Sequence, residues 1–352
     1  MLTIVAFLFV IGLLILVHEL GHFVSAKAVG VKVEEFGLGY PPRLFAIKVG
    51  ETEYSLNLLL PLGGFVRLAG QEDPSQPRGL AGKSIWARLL VLSSGSIMNA
   101  LLPIVLFSIS FMVPKDVLMG QVQVQEVSAG SPAEKAGIHP GDIVLKINNR
   151  PIQNIRDLSY NIQLHIGSEI TMVLKTGRFG QEVVRLIPRW NPPSGEGPTG
   201  IAVGLASPYT VKQSYPFLDA VRLGWRTSLD TLSLAKNEVI GWVVRRVAPP
   251  VSGPIGIAQA TGEVARVGFG ALMEFAALLS MNLAVVNILP IPMLDGGRLF
   301  FVVLEWIRHG KRISPKREGL VHLIGLVLLM GFVILISYYD ILRIIRGESI
   351  LR

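Results

Sequence analysis

Two histidines and a glutamate lie together inside an apolar stretch at the start of the sequence. The pentapeptide His18-Glu19-Leu20-Gly21-His22 interrupts a run from residue 1 to residue 26 that is otherwise uncharged. On a helix, the two histidines are one turn apart on one face, so both imidazoles can bind a single Zn²⁺ ion, and Glu19 stands beside them as a general base. Ionisable groups at membrane depth cost a few kcal/mol, so we interpret this group as functional rather than as helix packing.

A catalytic zinc site combines three protein ligands with one open position, so a third ligand must come from elsewhere in the chain. Asp295 is the only acidic residue between Glu274 and Glu305; it follows Pro290 and Pro292 and precedes two glycines. Because prolines remove backbone donors and glycines relax the turn, the chain can bend here and direct the carboxylate at the histidines. The predicted ligands of one zinc ion per chain are His18, His22 and Asp295.

Polar residues elsewhere are candidates for contacts with a substrate. Asn282 and Asn287 precede the prolines and can hydrogen-bond a substrate backbone or an oxyanion. Asn99 ends a second polar break, whose small residues permit close helix packing. The predicted substrate-binding residues are Asn99, Asn282, Asn287, Gly63, Gly64 and Phe65.

The composition is that of a membrane protein, since half of the 352 residues are hydrophobic and only 16% are charged. Four apolar segments are long enough to span a bilayer as helices. The net charge of +8 comes from basic residues that flank these segments, which favours retention at a membrane surface and argues against nucleic-acid binding. The predicted transmembrane segments are residues 3–26, 89–113, 271–294 and 320–340.

Basic residues are concentrated between the first two segments and between the last two. By the positive-inside rule both loops are cytoplasmic, which places the polar middle of the chain on the other side. In the first loop, residues 54–69 predict short strands broken by Pro61 and Gly63-Gly64. This membrane-associated β-hairpin has an edge that can bind an unwound substrate by strand addition. A small sheet that only packs on helix ends is the alternative.

The polar middle changes to alternating strands and short helices from residue 121 to about residue 205. A capped helix is predicted at 131–137, a second helix at 155–165, and a hairpin joining 169–175 to 181–187. The stretch SPAEKAGIHPGDIVLKINNRPI resembles a PDZ domain, a family that binds a peptide C-terminus between a strand and a helix. The matching carboxylate-binding loop includes Gly200, Ile201 and Ala202. The alternative is a domain that limits access to the site and binds no peptide. Downstream, residues 216–247 predict an amphipathic interfacial helix broken near Gly241. A soluble helix docked on the PDZ domain is the alternative.

The pentapeptide at His18, the pair Gly95 and Asn99, residues 252–256 and residues 287–297 resemble the site-2 protease family of intramembrane zinc metalloproteases, in the branch with a PDZ domain. The resemblance implies His18, His22 and Asp295 as zinc ligands and Glu19 as the residue that activates water. It also implies a substrate already trimmed by an earlier protease, such as a single-span anti-sigma factor or a remnant signal peptide. Some members carry two PDZ domains, whereas this chain has room for one.

The predicted fold is a polytopic α-helical membrane protein with about four transmembrane helices, a membrane-associated β-hairpin loop and one extracytoplasmic α+β PDZ domain. We expect it in the inner (cytoplasmic) membrane, with the active site opening toward the cytoplasm. A PDZ-bearing scaffold without activity and a zinc transporter are the alternatives from other classes. The predicted regions are 1–113 (membrane), 114–208 (PDZ), 209–264 (interfacial helix) and 265–352 (membrane).

Overall fold

The computed structural model describes residues 1–71, 73–177, 180–246 and 252–348. The chain divides into two compact units. Residues 1–111, 217–228 and 252–348 form the helical unit, and residues 112–216 and 229–246 form the α+β unit. Part of the predicted interfacial region, residues 247–251, lies outside the described residues. In chain order the elements are α1 (Leu2–Ala28), β1 (Val33–Val49), β2 (Thr52–Leu68), α2 (Ile85–Met112), β3 (Lys115–Val127), α3 (Pro132–Lys135), β4 (Ile143–Ile147), β5 (Arg150–Pro151), α4 (Ile155–Leu164), β6 (Ile170–Thr176), β7 (Gly180–Leu186), β8 (Ile201–Gln213), α5 (Phe217–Arg245), α6 (Pro254–Val267), α7 (Phe269–Ile288), α8 (Asp295–Ile307) and α9 (Pro315–Ile345).

Four described helices, α1, α2, α7 and α9, are long and apolar enough to cross a membrane. This finding confirms the number of apolar segments predicted from the sequence. The buried cluster that joins three of them includes Val10 and Leu14 of α1, Leu106 of α2 and Met273 of α7. Helices α1 and α2 also approach closely, because a Cβ added at Gly21 would lie 2.5 Å from the carbonyl oxygen of Ser94. Small residues at such contacts are how helices pack in lipid.

The third apolar helix is shorter than predicted. Helix α7 ends at Ile288 instead of continuing to residue 294, and Leu289 is extended, with φ −65° and ψ 145°. The physical reason is Pro290, because a proline disfavours helical geometry in the residue before it. The chain then turns and starts the new helix α8 at Asp295. The predicted bend is therefore a complete break between two helices.

The loop between α1 and α2 forms a larger sheet than predicted. Instead of several short strands, β1 and β2 are two strands of 17 residues each. The register shifts between them let the first part of β1 pair with two stretches of β2, so that Phe36 faces both Tyr54 and Val66. Pro61 does not end β2. It lies between Leu59 and Gly64, where the pairing with β1 is irregular, so the backbone N–H that proline lacks is not needed for a strand hydrogen bond.

A buried carboxylate holds this sheet together. Glu35 of β1 has a side chain that is only 3% exposed. It accepts hydrogen bonds from Ser55 Oγ at 2.7 Å and from Arg43 at 2.7 Å, and Arg67 lies 3.1 Å from its second oxygen. Charged partners make such a buried acid tolerable, and they connect both strands to it.

The α+β unit contains a sheet with strand order β7-β6-β4-β3-β8, and β5 pairs with β4. The predicted capped helix is present as α3, where the side chain of Ser131 accepts a hydrogen bond from the backbone of Glu134. The predicted second helix and hairpin correspond to α4, β6 and β7. The core includes Val122, Ile147 and Met172, which are fully buried.

Helix α5 is continuous from Phe217 to Arg245, so the predicted break near Gly241 is wrong. One glycine costs a helix only about 1 kcal/mol, which its neighbours offset. Within the α+β unit, two hydrogen bonds from Arg150 to Asp230 attach α5 to β5, at 2.6 and 2.9 Å. The amide nitrogen of Asn237 also lies 3.0 Å from the carbonyl oxygens of residues 163 and 164 at the end of α4.

We expect Glu35→Ala to loosen the β1–β2 sheet. The substitution leaves Arg43, Arg67 and Ser55 without their shared acceptor, a loss of about 2 kcal/mol or more. Hydrogen exchange of the purified protein should show faster exchange in β1 and β2. The matched control is Glu34→Ala, one residue away on an exposed position. Equal exchange in the two variants would contradict the role assigned to Glu35.

Candidate metal centre

The three predicted metal ligands meet at one point of the helical unit. His18 Nε2 lies 3.0 Å and His22 Nε2 lies 3.1 Å from Asp295 Oδ2. The two imidazole nitrogens lie 3.3 Å apart. Helix α1 supplies the histidines from successive turns, and Asp295 is the first residue of α8. His22 and Asp295, which are 273 positions apart in the sequence, therefore contribute donor atoms to one group together with His18.

This donor set fits zinc. Ligand atoms at about 2.0–2.1 Å from a tetrahedral zinc ion lie roughly 3.3 Å from each other, close to the separations observed here. Two imidazoles and one carboxylate are ligands that zinc accepts, and three of them leave a fourth position for chemistry. Among the described residues, His18, His22 and Asp295 are the group whose ligand atoms could hold a metal ion.

A glycine of α2 makes room for the ligands. A Cβ added at Gly95 would collide with Nε2 of His22 and would lie 2.6 Å from Cε1 and 2.8 Å from Nε2 of His18. Any larger residue would therefore fill the space in which the ligand atoms converge. The site requires glycine here because of this close approach.

Helix α2 also orients both imidazoles. His22 Nδ1 donates to the carbonyl oxygen of Val91 at 2.8 Å, which leaves Nε2 free to bind a metal. The amide of Asn99, 1% exposed, lies 3.3 Å from His18 Nδ1. With its oxygen turned toward that nitrogen, Asn99 accepts a hydrogen bond from Nδ1–H and leaves His18 Nε2 free in the same way.

Glu19 is buried next to the metal ligands, with 8% of its surface exposed. Gly64 of β2 packs directly against it, because a Cβ at this glycine would lie 2.8 Å from Glu19 Cγ. The hairpin therefore covers the carboxylate. A carboxylate beside three metal ligands and shielded from solvent can exchange a proton with a water molecule or a substrate at the centre.

The centre lies in a cavity of about 560 Å³. The cavity lining includes five of the six predicted substrate-binding residues, namely Gly63, Gly64, Phe65, Asn99 and Asn287. Asn282 instead lies on an exposed position of α7 and is not part of the lining. It is five residues before Asn287, and at 3.6 residues per turn this spacing directs the two side chains to different faces.

Sequence reasoning missed other residues of the cavity, including Tyr40 and Arg298. Partial removal from solvent, and then the nearby carboxylate of Glu19, raise the pKa of Tyr40 above its ordinary value. Arg298 is one helical turn after Asp295, a spacing that could have identified it. Tyr40 could be identified as a cavity residue only once the pairing of β1 with β2 was known. The remaining predicted residues, Gly200, Ile201 and Ala202, lie in the α+β unit at the start of β8.

We expect Gly95→Ala to abolish zinc binding while the protein still folds. Its Cβ would occupy the space between the two imidazoles, and alanine favours a helix more than glycine does. Zinc content of the purified variant measures the effect. Gly12→Ala is the matched control on α1, because a Cβ there meets its nearest neighbour at an ordinary 3.6 Å. One equivalent of zinc in Gly95→Ala would show that the ligands do not converge beside this glycine.

Several known proteins that carry the name zinc metalloprotease are similar to this chain. A protein of Clostridium acetobutylicum, provisionally named a zinc metalloprotease, is 38% identical over 332 residues, which cover 94% of this chain and 94% of the relative. A protein of Clostridium perfringens with the same kind of name is 35% identical over 94% of this chain and 95% of its own length. Zinc metalloprotease RasP of Oceanobacillus iheyensis is 28% identical over 98% of this chain and 100% of its own length. The sequence pattern of Peptidase family M50 matches residues 6–332, and the chain therefore belongs to this family.

Proposed function

We propose that this peptidase uses zinc to hydrolyse a peptide bond inside the transmembrane segment of a single-span membrane protein that an earlier protease has trimmed. The observation that carries the proposal is the convergence of His18, His22 and Asp295 beside Glu19, with the two histidines and Glu19 on α1, a helix that has the length and apolarity of a membrane span. Because the centre belongs to such a helix, its substrate is a segment that itself lies in the bilayer. An anti-sigma factor or a remnant signal peptide has this form.

Each residue of the centre has one role in the proposed reaction. His18, His22 and Asp295 would hold the zinc ion, which would supply Lewis-acid polarisation of the scissile carbonyl and activation of water at neutral pH. Glu19 takes the proton of the attacking water and delivers it to the leaving amide nitrogen. The amide of Asn287, in the cavity wall, donates a hydrogen bond to the oxyanion.

The hairpin positions the substrate in this proposal. Residues 64–68 of β2 line the cavity and pair with β1, as in the partners Leu38–Gly64 and Phe36–Val66. Within the described ranges, the strand residues that pair with this stretch all lie in β1, which supports a second edge available to a substrate. An unwound segment added there as a strand would have its backbone hydrogen bonds satisfied. It would pass Glu19, because Gly64 packs against that side chain.

The α+β unit acts as a peptide-binding PDZ domain in this proposal. Its strand β8 is at the end of the strand order, and α4 lies near it. The loop before β8 includes Gly200 with a φ of 80°, and the carbonyl oxygen of this glycine accepts a hydrogen bond from the backbone of Ser128. An open edge beside a helix, preceded by a glycine turn, supports binding of a peptide C-terminus at Gly200, Ile201 and Ala202.

The charge pattern supports one orientation in the inner membrane. Basic residues follow α1 and also lie between α8 and α9, and the positive-inside rule puts both regions in the cytoplasm. The α+β unit would then be extracytoplasmic, and the metal centre would open toward the cytoplasm.

We expect Glu19→Gln to retain zinc and to lose proteolysis. Glutamine keeps the size of the side chain and cannot accept the proton, a loss of roughly 10²–10⁴-fold in rate. The experiment compares the membrane proteomes of cells with the wild type, Glu19→Gln and the exposed control Glu34→Gln. A shortened single-span protein should accumulate only in Glu19→Gln, and the purified wild type should cleave it.

Three outcomes would overturn parts of this proposal. Cleavage by Glu19→Gln at the wild-type rate would remove Glu19 as the general base. Zinc far below one equivalent in the wild type would favour a scaffold without activity. Zinc flux into liposomes, without cleavage of any accumulated protein, would favour a transporter, which usually offers metal sites in series rather than a single centre.

We expect the α+β unit to bind a peptide through its terminal carboxylate. An apolar peptide with a free C-terminus should bind the full chain at least about 10-fold more tightly than the same peptide amidated, because backbone N–H groups of a glycine turn prefer an anion. Gly200→Ala should abolish the difference, since its Cβ would collide with Ser131. Gly195→Ala is the control, because that glycine also has a positive φ but open space around it. Equal binding of both peptides to the wild type would favour a domain that only limits access.

A further inference from the structure

The turn that carries Asp295 is tight and strained. Helix α7 has ended at Ile288, and Met293, two residues before Asp295, has a φ of 78°. A positive φ is unfavourable for a residue with a side chain, and such residues persist only where the surroundings hold them. Gly297 packs against the turn from inside, because its Cβ would lie 2.5 Å from the carbonyl oxygen of Ile291.

Helix α9 holds the same turn from outside. The ring nitrogen Nδ1 of His322 accepts a hydrogen bond from the backbone N–H of Met293 at 3.0 Å. One turn further along α9, Gly325 touches Pro292, whose carbonyl oxygen would lie 3.1 Å from a Cβ at this glycine. Residues three apart lie on the same helix face, so a single face of α9 contacts both residues of the turn. The ring of His322 also packs against Phe301 of α8, with centroids 5.7 Å apart.

We infer that His322 is a positioning residue for the metal ligand Asp295. This inference rests on the proposed role of Asp295 in binding zinc. The sequence does not indicate this role of His322. The structure assigns it because Nδ1 of His322 holds the strained amide of Met293, and this amide is two residues from the carboxylate. Without that acceptor the turn relaxes, and Asp295 leaves the position in which its Oδ2 meets both imidazoles.

A metal site tolerates only small displacements of its ligands. A carboxylate that supports zinc must stay within a few tenths of an ångström of its place, and groups that orient the ligands typically contribute 10–100-fold to metal affinity. The N–H of Met293 lies in the break between α7 and α8, where no helix accepts it. His322 supplies the acceptor from a different helix, so the position of the turn depends on α9.

The test compares His322→Leu, His322→Asn and His309→Asn. Leucine fills similar space and has no acceptor, whereas the side-chain oxygen of asparagine replaces Nδ1. His309 is an exposed histidine of the loop between α8 and α9 and is the control. Zinc affinity is measured by chelator competition in detergent, and exchange of the Met293 amide is measured on the zinc-free protein. Thermal unfolding of the same samples reports stability.

We expect His322→Leu to bind zinc about 10–100-fold more weakly and to exchange the Met293 amide faster, while His322→Asn stays close to the wild type. His309→Asn should change neither. A role in packing alone would lower the unfolding temperature of His322→Leu and leave its zinc affinity unchanged, and this result would overturn the inference. If His322→Leu does not fold, loss of zinc affinity in folded His322→Asn without faster amide exchange would overturn it as well. Asp295→Ala separates the two proposals, since zinc affinity unchanged in that variant would reject the ligand set itself.

Discussion

Three polar side chains must meet at a single point among helices that are otherwise apolar, and this requirement governs the helical unit. The approach of His18, His22 and Asp295 to within 3.0–3.3 Å of one another is unfavourable for buried polar groups unless each is satisfied. A cation held by all three would satisfy them together. Every nearby element is shaped by this demand. Helix α1 presents the histidines, α2 leaves room at Gly95, and the break after α7 brings the carboxylate.

The contact between α1 and α2 shows how close packing and chemistry coincide. Glycines allow the two helices to approach, and the hydroxyls of Ser25 and Ser94 lie 2.8 Å apart across the contact. In lipid, apolar surface gives helices little reason to associate, so small residues and hydrogen bonds decide where they pack. The same approach brings the carbonyl oxygen of Val91 to His22 Nδ1. A looser packing of these helices would therefore leave the imidazole in an undefined orientation, even with every ligand present.

The features that could be predicted from the sequence depend on local patterns, whereas those that could not depend on contacts between residues far apart in the chain. The pair His18 and His22 follows from local periodicity, and Asp295 follows from scarcity, because it is the only carboxylate in a long apolar stretch with prolines. The 17-residue strands and their double register depend on distant partners such as Glu35 with Arg67, which no local pattern specifies. Asn282 and Asn287 looked equivalent in the sequence. Asn287 lines the cavity and Asn282 does not, because of where α7 ends and which face of the helix each residue occupies.

Helix α9 is apolar along most of its length, and only 6% of the residues in its most apolar stretch are buried. A helix of this kind gains little from hydrophobic contact in a bilayer, so its polar contacts determine where it lies. Two of the described polar contacts lie toward opposite ends of the helix. His322 accepts from Met293, and Asp340, 2% exposed, accepts from the N–H of Gly256 at 2.8 Å in the first turn of α6, where a carboxylate complements the helix dipole. Eighteen residues of helix separate the two contacts by about 27 Å. Because α6 in turn packs on α1, the helix that bears the histidines and the turn that bears Asp295 are connected through α9 as well as through the centre itself.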